Sequence, residues 1–262
     1  MIINMKKWKV VSTAVTFGKF HKEPVKRLEE IGCEVMINPF GRPFTTEEMI
    51  KYGKDADALI VGNDKVVKEA IDQCKKLKII AKHGVGVDGI DIKAAHDRGI
   101  IVTNAPGTNC QEVADCAMGF ILMLARDYYR AVFETKSGKW IKRPGISLYQ
   151  KTIGILGLGN IGTAMAKRAA GFDMNILGYD IKERQEVRDL GVKYVSLEEL
   201  LSNSDFITLH LPLNDGTRNL IDSEKFKMMK KGTILVNTAR SQIVNSEALY
   251  KALQDGTLLG YA

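Results

Sequence analysis

"KTIGILGLGNIG", Lys151 to Gly162, is the stretch that decides the fold. It opens on an apolar run, Thr152 to Leu156, that reads as a buried strand. It then turns through Gly157, Gly159 and Gly162 and continues as "NIGTAMAKRAAG", a helical pattern. A glycine triplet at this spacing is a weak signal alone. A strand before it and a helix after it make the signal specific. Gly157 permits a tight turn, Gly159 lets a pyrophosphate approach the backbone, and Gly162 lets the helix pack close to the strand. The helix start, at Asn160 and Ile161, then offers unpaired N–H groups and a positive dipole end to the phosphates. The next strand, "MNILGYD", ends in Asp180, roughly 20 residues on, where an acidic residue would bind the adenosine ribose hydroxyls. Its charge would repel a 2′-phosphate, which favours NAD over NADP. Arg184, a few residues further, pulls the other way.

Two more strands follow downstream. "DFITLHLP" ends at His210, Leu211 and Pro212, and "TILVNTAR" ends at Thr238, Ala239 and Arg240. Ligands of doubly wound sheets bind beyond the carboxyl ends of the strands. Gly157, Asp180, His210 and Arg240 all fall at such ends. Taken singly, His210 also reads as a hydrogen-bonded loop histidine, and Arg240 as a salt link between domains.

Upstream, short β-branched runs alternate with helical patterns. "WKVVSTA", "CEVMIN", "DALIVG", "LKIIAKHG" and "IIVTNAP" read as strands, and "PVKRLEEIG", "VVKEAIDQC" and "DIKAAHDRG" as helices. Thr45 to Glu48 is a capping-box pattern. This is a second βαβ series, so a parallel sheet with helices on both faces is expected. The expected fold is α/β, with two doubly wound domains, 1–103 and 104–262, meeting near Asn104. "TNCQEVADCAMGFILMLARDYYRA", from Thr108, reads as one long apolar helix packing between them, and as a plausible homodimer element. Ser137 to Gln150 reads as irregular.

Composition narrows the class. The chain has 262 residues, 45% hydrophobic and 26% charged, with a net charge of +7. The Lys and Arg residues are scattered, which fits a solvated surface better than a nucleic-acid stripe. A mild positive field also suits a small anionic substrate. The cysteines Cys33, Cys74, Cys110 and Cys116 show neither C-x-x-C pairing nor metal-ligand spacing, so they read as free thiols of a cytoplasmic protein without a bound metal. "MIINMKKWKVV" lacks a signal-peptide core, and the apolar run Ala117–Ala125 is too short to span a membrane.

With "KHGVGVDGID", "VTNAPGTNCQEVAD", "GKW", "KTIGILGLGNIG", "GYD", "HLPLNDGTR" and "VNTAR" together, the chain resembles the D-isomer-specific 2-hydroxyacid dehydrogenases, nearest their phosphoglycerate-dehydrogenase-like branch. The resemblance covers nearly the whole chain. It implies a flavodoxin-like substrate domain followed by a Rossmann NAD-binding domain. In it, Arg240 binds the substrate carboxylate and polarises the carbonyl. The N–H groups of Val85 and Gly86 hold that carboxylate. Gly157, Gly159, Asn160, Ile161, Gly162, Asp180, His210, Leu211, Pro212, Thr217, Thr238 and Ala239 contact the cofactor. The family's catalytic glutamate and acid–base histidine lie beyond the strand beginning "LLGYA", so the resemblance implies that the C-terminal end is missing, with the last strands of the cofactor sheet, and that the 262 residues alone are inactive.

The expected chemistry is hydride transfer between NAD and a small 2-hydroxy or 2-keto acid, 3-phosphoglycerate among them. The alternatives are an NAD-binding regulatory module, or another NAD enzyme of the phosphite or formate dehydrogenase kind. His83 and His210 are the histidines at strand ends. Several positions depart from the family pattern. Ser241 and Gln242 replace a glycine after the arginine, Gln150 stands before "KT" in place of a glycine, and Gly89 replaces an asparagine. Gly62 and Asn63 stand where phosphoglycerate dehydrogenases often carry a phosphate-binding arginine.

Overall fold

The computed structural model describes residues 7–262, so most of the N-terminal stretch read as lacking a signal peptide lies outside the described residues. The chain divides after Thr108 into two compact units.

In the first unit, strands and helices alternate: β1 (Lys9–Ser12), α1 (Glu23–Glu30), β2 (Glu34–Met36), α2 (Thr46–Gly53), β3 (Ala58–Val61), α3 (Lys68–Gln73), β4 (Ile79–Lys82), α4 (Ile92–Asp97) and β5 (Ile101–Thr103). All pairings are parallel, in the order β2-β1-β3-β4-β5. This is the flavodoxin-like order, whose ligand crevice lies between β1 and β3. Pro24 sits in the first turn of α1. The capping box at α2 is formed on both sides, by the Thr45 hydroxyl and the Glu48 carboxylate. Val11, Leu59, Val61, Ile71 and Ile80 are fully buried between sheet and helices.

The second unit opens with α5 (Cys110–Ala125) and α6 (Tyr128–Lys136). The expected single helix is therefore corrected to two. Asp127 takes a left-handed conformation, φ 52°, and breaks the run. Arg143, from the irregular segment that follows, bonds to Asp127 at 3.2 Å and to Glu134 at 2.9 Å and braces the break. α5 belongs to the second unit, where Ala114, Ala117, Met118 and Ile121 join its core.

Next come β6 (Thr152–Leu156), α7 (Asn160–Gly171), β7 (Asn175–Tyr179), α8 (Gln185–Arg188), β8 (Val192–Tyr194), α9 (Leu197–Asn203), β9 (Phe206–Leu209), α10 (Ser223–Met228), β10 (Thr233–Asn237), α11 (Ser246–Gln254) and β11 (Leu258–Tyr261). The six strands are parallel, in the order β11-β10-β9-β6-β7-β8. Counted within the unit this is 3-2-1-4-5-6, the order of dinucleotide-binding sheets. The strand at Leu258 is formed and paired to β10, so the expected loss of strands does not reach it. One core cluster joins α5 and α7 to the sheet, and a second joins α9, α10 and α11 to its other face. No helix among the described residues is long and apolar enough to cross a membrane.

Candidate functional site

In the second unit the glycine turn forms as its sequence requires. Gly157 has φ 89°, and a Cβ there would lie 2.7 Å from the His210 carbonyl oxygen. A Cβ on Gly162 would lie 1.9 Å from the Gly157 carbonyl oxygen. Both contacts forbid a side chain, and they seat the turn on the end of β9. Gly159 differs: a Cβ there would meet nothing within 4 Å. It is the exposed N-cap of α7. Among the described residues, the Asn160 and Ile161 N–H groups, which open α7, have no hydrogen-bond partner. An open glycine beside unpaired amides at a helix start fits a bound pyrophosphate.

Asp180 follows β7 directly and reaches back to the turn. Its Oδ2 accepts the Leu158 N–H at 2.6 Å, and its Oδ1 accepts the Lys182 N–H at 3.0 Å. Arg184 is engaged elsewhere, donating to Thr163 Oγ1 at 3.0 Å and lying 3.6 Å from Glu186.

His210 follows β9. Its ring lies between two hydroxyls, Thr208 Oγ1 at 3.0 Å from Nε2 and Thr238 Oγ1 at 3.4 Å from Nδ1. Burial pushes its pKa down to about 4, so the ring is neutral near pH 7. Leu211 is half-buried and Pro212 exposed. Thr217 closes this loop, donating to the Pro212 carbonyl at 2.6 Å and accepting the Asn214 N–H at 2.9 Å.

Thr238, Ala239 and Arg240 follow β10, in a turn organised by Asn237. Asn237 Oδ1 accepts the Ala239 N–H at 3.0 Å, and its Nδ2 donates to the Arg240 carbonyl at 2.9 Å and to Tyr261 Oη at 3.3 Å. The half-buried Arg240 donates from Nη1 to the Ala239 carbonyl at 2.8 Å. Ser241 then begins a 3-10 turn with no positive φ, so the loop needs no glycine at Ser241 or Gln242. The structure thus gathers Gly157, Asp180, His210, Leu211 and Thr238 at one edge of one sheet. Sequence reasoning missed Asn237, although an Asn beside a turn at a strand end is an Asx-turn signal.

Val85 and Gly86 lie in the first unit, in the loop after β4. Asn104 Nδ2 donates to the Val85 carbonyl at 2.8 Å, and the Ala105 N–H donates to the Gly84 carbonyl at 2.9 Å. His83 is exposed, its Nδ1 3.4 Å from Thr16 Oγ1 and its ring edge-on to Phe17. Buried Asp64 braces the neighbouring loops, accepting from Thr13 Oγ1 at 2.6 Å, the Phe44 N–H at 2.7 Å and the Gly62 N–H at 2.8 Å. The glycine at position 89 has a local cause: a Cβ there would lie 2.8 Å from the Asp64 carbonyl oxygen. Among the described residues, no cluster of His, Cys, Asp and Glu could hold a metal ion.

Residues 118–262 match the family model described as the D-isomer specific 2-hydroxyacid dehydrogenase NAD binding domain. The chain is 44% identical to a D-3-phosphoglycerate dehydrogenase of Methanocaldococcus jannaschii, over 91% of this chain and 46% of that protein. It is also 44% identical to a hydroxypyruvate reductase of Thermotoga maritima, over 87% of this chain and 77% of that one. The chain therefore spans less than half the length of the first relative and about three quarters of the second. Among solved structures, D-lactate dehydrogenase from Aquifex aeolicus, complexed with NAD and lactic acid, superposes with a TM-score of 0.81 at 30% identity, over 97% of this chain and 75% of that one.

Proposed function

The chain belongs to the D-isomer-specific 2-hydroxyacid dehydrogenase family and carries its NAD-binding domain, and we propose that it serves hydride transfer between NAD and a small 2-hydroxy or 2-keto acid. The observation that carries this reading is the end of β7, where Asp180 faces the glycine turn and the open Gly159. Gly159 and the amides of Asn160 and Ile161 hold the pyrophosphate, and Asp180 takes the adenosine ribose. Leu211, Pro212, Thr217, Thr238 and Ala239 line the cofactor's remaining length. NAD, when bound, supplies the hydride acceptor or donor.

Arg240 takes the substrate carboxylate with its planar fork and polarises the adjacent carbonyl. In the first unit the Val85 and Gly86 amides take a carboxylate oxygen. His210 is neutral and a weak base near pH 7, which suits it to shaping the cofactor side rather than moving the proton. Lys82 Nζ donates to the Gly62 carbonyl and lies 3.5 Å from Asn63 Oδ1. With Gly62 and Asn63 in place of a phosphate-binding arginine, we favour an unphosphorylated acid over 3-phosphoglycerate. The protein acts in the cytoplasm, with neither nucleic acid nor membrane as partner. It acts as a homodimer, because α6 buries none of its residues while Phe133 is 74% exposed and Trp140 91% exposed.

The test, made on the full-length protein, is NADH oxidation against glyoxylate, hydroxypyruvate, pyruvate and 3-phosphohydroxypyruvate, with formate and phosphite as donors to NAD. Turnover of at least one keto acid is expected. Formate or phosphite oxidation would replace this reading with the other enzyme class. NAD binding without any turnover would replace it with the regulatory module.

A further inference from the structure

The loop after β4 is oriented by the segment that follows β5, and we infer that Asn104 is a positioning residue for the amides of Val85 and Gly86. The inference rests on the reading that these amides bind a substrate carboxylate. A trans peptide is planar, and its C=O and N–H point in opposite directions. The Gly84 carbonyl shares a peptide with the Val85 N–H, and the Val85 carbonyl shares one with the Gly86 N–H. Both carbonyls are tied to one short segment, Gly84 by the Ala105 N–H at 2.9 Å and Val85 by Asn104 Nδ2 at 2.8 Å. Both N–H groups therefore face away from that segment, on the same side of the loop. Among the described residues, neither N–H has a hydrogen-bond partner. Successive N–H groups turned to one side form a nest that takes a single anionic oxygen.

Of the two ties, the Ala105 one is backbone and survives side-chain substitution. The Asn104 tie is a side-chain amide. Without it, the Val85–Gly86 peptide is free to rotate, and the nest keeps one fixed donor. Asn is the residue type this tie requires, since Asp is nearly the same shape but offers an acceptor to an acceptor.

The experiment uses the intact protein with NADH, comparing the parent with Asn104→Ala and Asn104→Asp. It measures KM and kcat for glyoxylate, the inhibition constant of oxamate, the NADH dissociation constant and the melting temperature. In Asn104→Ala, the glyoxylate KM and the oxamate constant are expected to rise about 10-fold, the scale of one lost hydrogen bond. In Asn104→Asp they rise further, because a carboxylate beside the nest repels the substrate. The NADH constant and kcat should stay within about 3-fold of the parent, since anchoring is shared by ground and transition states. Unchanged KM and oxamate binding in both variants would overturn the inference while leaving the function standing. So would a parallel loss of NADH affinity and melting temperature, which marks a merely structural residue. A parent that neither reduces a 2-keto acid nor binds oxamate would overturn the functional reading itself, and this inference with it.

Discussion

The carboxylate of Asp180 is bonded to the backbone of Leu158, in the middle of the glycine turn, with Oδ2 2.6 Å from the N–H. The residue read as choosing the cofactor thus also holds the glycine turn proposed to carry the pyrophosphate. The two roles are separable by chemistry, because an amide oxygen can accept the Leu158 N–H without carrying charge.

Asp180→Asn should therefore keep the loop and lose the charge, and Asp180→Ala should lose both. NAD binding should weaken by about 1–3 kcal/mol in Asp180→Ala, the range for hydrogen bonds to a charged group. Asp180→Asn should lose less, and NADP should gain relative to NAD in both variants. Titration of the three proteins with both cofactors is the check. A parent that binds NADP as well as NAD would remove Asp180 as the selector.

His210 gives a pH signature. Burial holds its folded pKa at about 4, below the ordinary value of about 6.5. As pH falls, the unfolded chain takes up this proton first. The stability linked to the neutral ring is therefore intact above about pH 6.5 and is lost progressively between about pH 6.5 and 4. The slope should amount to a loss on the order of 2–3 kcal/mol across that window. Urea midpoints of the parent should fall through it, and His210→Asn should flatten that part of the curve. Equal slopes in the two proteins would mean that His210 is not the group responsible.

Much of this was legible in the sequence, and what was not has a common cause. Gly157, Gly159, Gly162 and Asp180 were readable because the turn chemistry and the strand before it are local. The helix break at Asp127 was not. No Gly or Pro marks it, apolar spacing runs on through "ARDYY", and the brace comes from Arg143, far along the chain. β8 is three residues long, too short to show a period. Asn104 was passed over because it acts on the carbonyl of a residue 19 positions earlier, a partner that leaves no residue-type signal, whereas Asn237 carried an Asx-turn signal that was not read. Gln150 was noticed only as a departure, and its backbone explains why a glycine suits the position.

Gln150 has φ 57°, a left-handed conformation that costs a residue with a Cβ roughly 1–2 kcal/mol. The turn is fixed by the Gln150 N–H on the Asp173 carbonyl at 3.1 Å, and by Asn175 Nδ2 on the Gln150 carbonyl at 3.0 Å. Gln150→Gly keeps both bonds and removes the strain, offset in part by glycine's greater freedom when unfolded. A net gain of up to about 1 kcal/mol is expected, read as a higher urea midpoint at unchanged slope. A lower midpoint would show that the side chain contributes more than its backbone costs.

The exposed face of α6 carries the dimer proposal. Tyr128, Tyr129, Val132 and Phe133 are all exposed on a helix with no buried residue, and exposed apolar side chains gathered on one helix are what an interaction site would use. Phe133→Glu should convert the protein from dimer to monomer at micromolar concentration, by light scattering on a sizing column. A monomeric parent, or a variant that stays dimeric, would assign that face to something else.

Arg240 leaves β10 at a turn clamped on both sides by the Asn237 amide. The clamp fixes the backbone that carries the guanidinium, and Nη1 donates to the Ala239 carbonyl of the same turn. A guanidinium matches a carboxylate with two parallel hydrogen bonds, which an ammonium cannot do. In the full-length protein, Arg240→Ala should lower kcat/KM for the preferred keto acid by roughly 2–5 kcal/mol in activation free energy, the cost of leaving a desolvated carboxylate unpaired. Arg240→Lys should recover only part of that loss. Asn237→Asp retains the acceptor for the Ala239 N–H but cannot donate to the Arg240 carbonyl, so it should give a smaller defect of the same kind. NAD affinity should change far less in all three if, as proposed, the arginine serves the substrate and not the pyrophosphate. Steady-state kinetics with NAD titration and a melting curve for each variant separate the outcomes. Near-normal kcat/KM in Arg240→Ala, with a lower melting temperature, would make the arginine a structural salt link, and the carboxylate anchor would have to be sought elsewhere.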